Sequence, residues 1–111
     1  MRIIDFGPVA AHSVERYESV NAAFVRVVNT SGAGHVGCIR LGPGGILGRH
    51  PAASEQLFCV VEGEGEVSGT DGVAVPIRAG QAALWEAGEF HETTSQPGLT
   101  AIIIEVEVVH L

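Results

Sequence analysis

The sequence predicts an all-β fold, a sandwich or a barrel, and three features of the chain support that prediction. Fifteen glycines and five prolines divide its 111 residues into short pieces. Several of these pieces are rich in apolar and β-branched residues, as expected of short strands between turns. No segment shows a clear 3.6-residue period of the kind that marks an amphipathic helix. A chain of this length can bury one hydrophobic core, so we expect residues 1–111 to form a single domain.

Eight strands are expected in chain order, at residues 23–30, 35–41, 56–62, 64–69, 73–77, 81–86, 89–94 and 99–109. Residues 11–17 are compatible with one turn of helix. Asp71-Gly72 indicates a tight hairpin because both residues tolerate a positive φ. The glycine-rich stretches at 62–65 and 42–45 predict two further reversals of the chain.

The predicted strand at 99–109 has two different faces because successive side chains of a strand point in opposite directions. One face is apolar throughout and is expected in the core: Ile102, Ile104, Val106 and Val108. The other begins apolar and ends charged: Ala101, Ile103, Glu105 and Glu107. Such a strand can meet a second subunit near Ile103, so we expect a homodimer. A half-exposed terminal strand on a monomer is the alternative.

Charge and composition narrow the range of partners. The formal net charge is −7, and so acidic a surface repels nucleic acid and anionic membranes. No stretch approaches the roughly 20 apolar residues of a transmembrane helix, and the charged N-terminal segment is unlike a secretion signal. We therefore expect a cytoplasmic protein. Cys38 and Cys59 each lie in an apolar, strand-like run and are expected to be buried rather than joined in a disulfide.

Two segments combine glycines with histidines and amide or carboxylate side chains at fixed spacing. In the second segment, Gly80 is followed after five residues by Glu86, then by Gly88, His91 and Ser95. In the first, Gly44, His50, Ala52, Gln56 and Gly63 form one possible series. A shifted series, Gly42, Gly48, His50, Glu55 and Glu62, fits as well.

These spacings resemble the two motifs of the cupin superfamily, G-x5-H-x-H-x(3–4)-E-x6-G and G-x5-P-x-G-x2-H-x3-N. The resemblance is to a small single-domain cupin. It implies a jelly-roll β-barrel, in which two histidines and a glutamate of the first motif and one histidine of the second hold a divalent metal. His91 matches the histidine of the second motif, with glutamate in place of the usual proline and serine in place of the usual asparagine.

The hairpin predicted at VVEGEG favours the first of the two series, because it places Gly63 at the closing position of the motif. In that register Gln56 replaces the glutamate and points inward with Phe58 and Val60, whereas Glu55 points away. Ala52 replaces a histidine. A bulge at Ser54 or Glu55 would favour Glu55 instead, since a slip of one residue turns every side chain to the other face.

The resemblance therefore implies a degenerate metal site formed by His50, Gln56 and His91. Two neutral imidazoles and an amide carbonyl bind Fe, Ni, Mn, Zn or Cu more weakly than a set that includes a carboxylate. The site is expected to leave positions open for a chelating substrate. The alternative is that both histidines are ordinary polar residues and that no metal binds.

Other polar and aromatic residues near the motifs have open roles. His35 is placed to line the same cavity or simply to end a strand. Trp85, Phe90 and Phe58 are suited to the walls of a small-molecule pocket and equally to a barrel core. The carboxylates around His91 form a solvated rim or include a general base: Glu86, Glu89 and Glu92. No catalytic residue is assigned.

Two functions follow from these observations. The first is a small-molecule enzyme of the cupin type, a metal-dependent dioxygenase, isomerase or lyase. The second is a metal-free dimeric binding module for a small apolar ligand.

Overall fold

The computed structural model describes residues 1–16, 18–21 and 23–111, and most of them lie in β-strands. The ten strands are β1 (Arg2–Asp5), β2 (His12–Ser13), β3 (Ala23–Phe24), β4 (Asn29–Leu41), β5 (Gly45–Pro51), β6 (Glu55–Ser68), β7 (Val75–Arg78), β8 (Gln81–Trp85), β9 (Phe90–Ser95) and β10 (Leu99–His110). Within the described ranges the only helical element is a 3-10 turn at Pro8–Ala10. None of the described residues forms a helix with the length and hydrophobicity needed to span a membrane.

The strands form two antiparallel layers that share one long strand. The first layer has the order β1-β8-β6-β10-β4 and uses the first half of β6. The second layer has the order β7-β6-β9-β5 and uses the second half of β6. A core cluster with members from both layers lies between them, including Phe58 and Trp85 from the first layer and Val67 and Ile77 from the second. This is the predicted jelly-roll β-barrel.

β6 passes from one layer to the other at Gly63. Its pairing with β10 shifts register just before this glycine, and beyond it the strand pairs with β7 and β9. Gly63 has a φ of 80°, and a Cβ at this position would collide with the carbonyl oxygen of Gly98. The reversal predicted at residues 62–65 is therefore wrong, because the glycine there bends a continuous strand instead of ending it.

β10 packs apolar side chains on both of its faces. Ala101 is fully buried in the core between the layers, and Ile103 packs against the same core. Ile102 and Ile104 pack on the opposite side of the sheet, with Leu57 and Cys59 and with residues of the N-terminal segment. The side chain of Ile103, near which a second subunit was expected, points into the barrel instead.

The turns at residues 71–72 and 42–45 are confirmed, with Gly72 and Gly44 at φ values of 73° and 75°. The structure contains the predicted strands at 56–62, 73–77, 81–86, 89–94 and 99–109. Their ends agree with the prediction to within three residues, except that β6 continues to Ser68. Of the predicted strand 23–30, only residues 23–24 and 29–30 are extended in strands. The helical turn predicted at 11–17 is wrong at His12–Ser13, which form β2; Tyr17 lies outside the described residues.

Two further corrections concern β5 and Cys38. Residues 45–51 lie outside the eight predicted strands, but Gly45–Pro51 forms β5, paired with β9. Cys38 is exposed, whereas Cys59 is buried as predicted. Cys38 lies on β4, the edge strand of its layer, and so has a neighbouring strand on one side only.

Candidate functional site

A cavity of about 180 Å³ lies between the two layers, beside Trp85, His91 and Thr93 of the second motif. Its walls combine polar and apolar side chains from six strands: Ile39, Leu47, His50, Gln56, Phe58, Trp85, His91, Thr93, Ile103 and Glu105. A groove of about 510 Å³ along β6 and β7 is larger, but it has no histidine or cysteine in its lining. The smaller cavity therefore carries the site that the two motifs predict.

His50 reaches the cavity from β5, close to a register irregularity of the β5–β9 pair. The irregularity falls between Leu47 and His50, and His50 then pairs directly with His91 on β9. The Nδ1 atom of His50 lies 2.6 Å from the carbonyl oxygen of Gly48. A carbonyl only accepts hydrogen bonds, so in the neutral ring Nδ1 carries the proton and Nε2 keeps a lone pair.

His91 lies beside it on β9, with the two ring centroids 4.3 Å apart. Its ring is buried and stacks on Trp85 at a centroid distance of 4.5 Å. Its Nδ1 donates to the carbonyl oxygen of Glu89, 3.3 Å away. Burial lowers the pKa of His91, and the charge of a protonated His50 would lower it further. His91 is therefore neutral at pH 7, with Nε2 free to accept.

Trp85 is the rigid wall behind His91. It is fully buried, its Nε1 donates to the carbonyl oxygen of Ser68 at 3.1 Å, and its ring meets Phe58 edge-on. A stacked imidazole held by a locked tryptophan has little rotational freedom. The orientation of His91 is thus fixed by the core itself.

Gln56 and Glu55 point in opposite directions from β6, as strand geometry requires. Gln56 is buried and lines the cavity. Glu55 instead accepts a hydrogen bond of 3.0 Å from the backbone N–H of Val109. The register that placed Gln56 inward is the one observed.

The donor set at the cavity suits a weakly held metal ion. Metal-binding histidines usually donate their second ring nitrogen to a carbonyl or carboxylate, which fixes the coordinating nitrogen. Both His50 and His91 have this arrangement through Nδ1, and Gln56 adds a carbonyl oxygen. Among the described residues, however, no three His, Cys, Asp or Glu side chains are grouped closely enough to hold a metal. Two imidazoles and an amide fit an ion whose remaining positions are filled by water or substrate.

Glu105 is a cavity residue that the sequence did not reveal. It lies on β10, lines the cavity, and has an Oε2 atom 3.2 Å from Nε2 of His35. His35 itself is largely exposed and is not part of the cavity wall. The only sequence signal for Glu105 was its place two residues after Ile103, on what is now seen to be the inward face.

The remaining candidates lie away from the cavity. Ala52 is buried in the core and forms no part of the lining. Phe90 is half-exposed under the guanidinium of Arg49. Glu86, Glu89 and Glu92 do not line the cavity.

Glu89 instead has a structural role in the turn before β9. It accepts hydrogen bonds from the Met1 ammonium and from the N–H of Glu86. Burial alone would raise the pKa of Glu89, but these hydrogen bonds and the ammonium charge hold it below its usual range. The predicted acidic rim around His91 therefore contributes no cavity carboxylate in this arrangement.

Comparison with known proteins agrees with the resemblance of the two motifs to cupins. A family model described as the cupin domain matches residues 37–106. No curated protein matches the chain. A predicted oxalate decarboxylase from Thermotoga maritima is 25% identical, with a TM-score of 0.58, over 68% of this chain and 64% of that one.

Two other solved structures share the fold. A DMSP lyase from Ruegeria pomeroyi is 17% identical, with a TM-score of 0.62, over 68% of this chain and 39% of the lyase. A conserved protein of unknown function from Streptococcus pyogenes is 18% identical, with a TM-score of 0.61, over 66% of this chain and 63% of that one. The chain thus covers less than two thirds of the length of each of these three relatives.

Proposed function

The chain belongs to the cupin domain family, and on this basis we propose that it is an enzyme acting on a small, oxygen-rich molecule through a divalent metal held by His50, His91 and Gln56. The observation that carries the proposal is the histidine pair. Its ring centroids lie 4.3 Å apart, and each Nδ1 is tied to a backbone carbonyl oxygen. Both Nε2 atoms are thereby left to bind one ion.

The size and walls of the cavity indicate the class of substrate. A volume of about 180 Å³ corresponds to about six water molecules of liquid, so only a small molecule fits. Three neutral donors and the single Glu105 carboxylate that the described residues add to the cavity lining leave a divalent ion with a net positive charge, which favours a substrate with a carboxylate or a similar oxyanion. The Thermotoga maritima relative is described as a predicted oxalate decarboxylase, and oxalate is a small dicarboxylate.

When bound, an ion such as Fe, Ni, Mn, Zn or Cu supplies Lewis-acid polarisation of substrate oxygens or, if redox-active, activation of dioxygen. The protein residues position and shield this chemistry. Trp85 and Phe58 keep bulk water from one side of the cavity because both are buried. His91 stays neutral and fixed in its stacked position, and the Gln56 amide offers both an acceptor and a donor to a bound molecule.

Isothermal titration of the untagged protein with Co²⁺ tests the proposal directly. We expect one saturable site per chain in the wild type and no site in His50→Ala or His91→Ala. His12→Ala is the matched control, because His12 lies on β2, outside the cavity lining, and should bind as the wild type does. A wild-type protein that binds no Co²⁺, Ni²⁺ or Zn²⁺ would show that the metal-dependent function is wrong.

A metal-free binding module for a small apolar ligand is the second candidate. It is favoured by the lack, in the described part of the chain, of three His, Cys, Asp or Glu side chains grouped for a metal. The cavity also has apolar walls, among them Ile39, Leu47 and Ile103. This function requires that an apolar ligand bind equally well in the presence of a chelator and in the His50→Ala variant.

The homodimer and the cytoplasmic location stay predictions. Sedimentation equilibrium on the full chain would measure the oligomeric state.

A further inference from the structure

Four residues stand in one row across the first layer, directly paired from strand to strand. Glu105 of β10 pairs with His35 of β4 on one side and with Gln56 of β6 on the other. Gln56 in turn pairs with Trp85 of β8. Directly paired residues of neighbouring strands point to the same face of the sheet. The row therefore runs from the exposed His35 to the buried Trp85, on which His91 is stacked.

We propose that Glu105 supplies the negative charge of the cavity, one strand away from Gln56, and thereby raises the affinity of the histidine pair for a divalent cation. This inference rests on the proposed function, since it concerns the same cation. It assigns to β10 a charge that the first motif would place on β6.

The geometry allows a carboxylate on β10 to act in place of a carboxylate on β6. Neighbouring strands lie about 4.8 Å apart, so a carboxylate on β10 and an amide on β6 at paired positions reach into the same small space. Glu105 and Gln56 both line the cavity together with His50 and His91. With Gln56 neutral, Glu105 is the one carboxylate that the described residues contribute to the cavity lining.

Glu105 acts here as a charge beside the cation and not as a coordinating group. It is not grouped with His50 and His91 at distances that would let three such side chains hold one ion. Its Oε2 atom instead lies 3.2 Å from Nε2 of His35, and its side chain is 28% exposed. The contact with His35 holds the carboxylate on the β4 side of the cavity.

A charge swap between the two strands tests the inference. Co²⁺ affinity is measured by isothermal titration for the wild type, Glu105→Gln, Gln56→Glu and the double variant Gln56→Glu/Glu105→Gln. Glu107→Gln is the matched control, because it removes one negative charge from an exposed position of the same strand that does not line the cavity. Thermal unfolding checks that each variant is folded, and Glu105→Ala repeats the test with a smaller side chain if Glu105→Gln does not fold.

We expect Glu105→Gln to weaken Co²⁺ binding about tenfold or more, since the lost charge is close to the ion and partly shielded from water. The double variant should return to within about threefold of the wild type, because its charge is restored one strand over. Glu107→Gln should leave the affinity unchanged. If Glu105→Gln binds Co²⁺ as tightly as Glu107→Gln does, this inference is wrong while the proposed function stands. If the wild type binds no divalent metal, both are wrong.

Discussion

Replacing Trp85 with phenylalanine tests whether the wall of the cavity is also the centre of the hydrophobic core. Trp85 is fully buried on β8 and meets Phe58 at a ring-centroid distance of 5.8 Å. It also stacks on His91, and its Nε1 donates to the carbonyl oxygen of Ser68. Phenylalanine keeps an aromatic ring at this position but removes the donor and part of the volume.

The size of the effect follows from two losses. Ser68 is buried, so withdrawing the Nε1 donor from its carbonyl oxygen costs about 1–3 kcal/mol. The smaller ring leaves a void that adds about 1 kcal/mol. We therefore expect the free energy of unfolding to fall by about 2–4 kcal/mol, which lowers the melting temperature of a domain of this size by roughly 10–20 °C.

Urea denaturation followed by circular dichroism measures this loss. Phe24→Leu is the control, because Phe24 is 62% exposed and its replacement should change stability by no more than about 0.5 kcal/mol. If Trp85→Phe is no less stable than Phe24→Leu, the cavity wall carries no part of the core and the account of the barrel interior is wrong.

Three further predictions concern thiol reactivity, pH and backbone strain. A thiol reagent at pH 8 should modify Cys38 in the native protein and reach Cys59 only in denaturant. Burial raises the pKa of Cys59 from 9.0 to about 11 and so cuts its thiolate fraction roughly 100-fold. Modification of both thiols in the native state would contradict this prediction. In metal-free protein, burial lowers the pKa of His91, so the unfolded chain binds the proton more tightly. The resulting contribution to the free energy of unfolding is present above about pH 6.5 and is lost as the pH falls through the folded-state pKa. Urea melts should therefore show that the wild type loses more stability between pH 7.5 and pH 5.5 than His91→Gln does. Gly63→Ala should lower the free energy of unfolding by more than about 2 kcal/mol, because strain at positive φ adds to a collision with Gly98. Gly72→Ala should lower it by only about 1 kcal/mol in the same assay, because Gly72 has a φ of 73° but open space around it.

Features that depend on short sequence separation were predictable. The alternation of a strand fixed the inward direction of Gln56 once its register was chosen. The spacing of Gly80, Gly88 and His91 placed His91 at the start of β9, just after the turn at Gly88, whose φ is 82°. Over such distances the local backbone decides which way a side chain points.

β5 could not be predicted because its strand character comes from its partner. Two glycines and a proline within seven residues, Gly45, Gly48 and Pro51, weaken any local preference for a strand. Pairing with β9 supplies the hydrogen bonds that hold the segment extended. The position of His50 thus depends on a contact about forty residues away in the chain.

Glu105 and Cys38 were misread for a related reason. Which strands are neighbours, and which strand is at the edge, depends on long-range pairing that periodicity does not contain. The pairing of β10 with β6 brings Glu105 beside Gln56, and the edge position of β4 leaves Cys38 exposed. The cavity charge and the exposed thiol therefore emerge only from the fold.

The most direct test of the central claim is anomalous diffraction from crystals of the untagged protein soaked in Zn²⁺ or Ni²⁺. The claim is that one divalent ion binds in the cavity between the two layers, on the free Nε2 atoms of His50 and His91. We predict an anomalous peak within coordination distance of both nitrogens, at about 2.0–2.2 Å, which is absent from crystals of His91→Ala. Fully soaked crystals with no peak in the cavity, or with peaks only at surface histidines such as His12, would contradict the account.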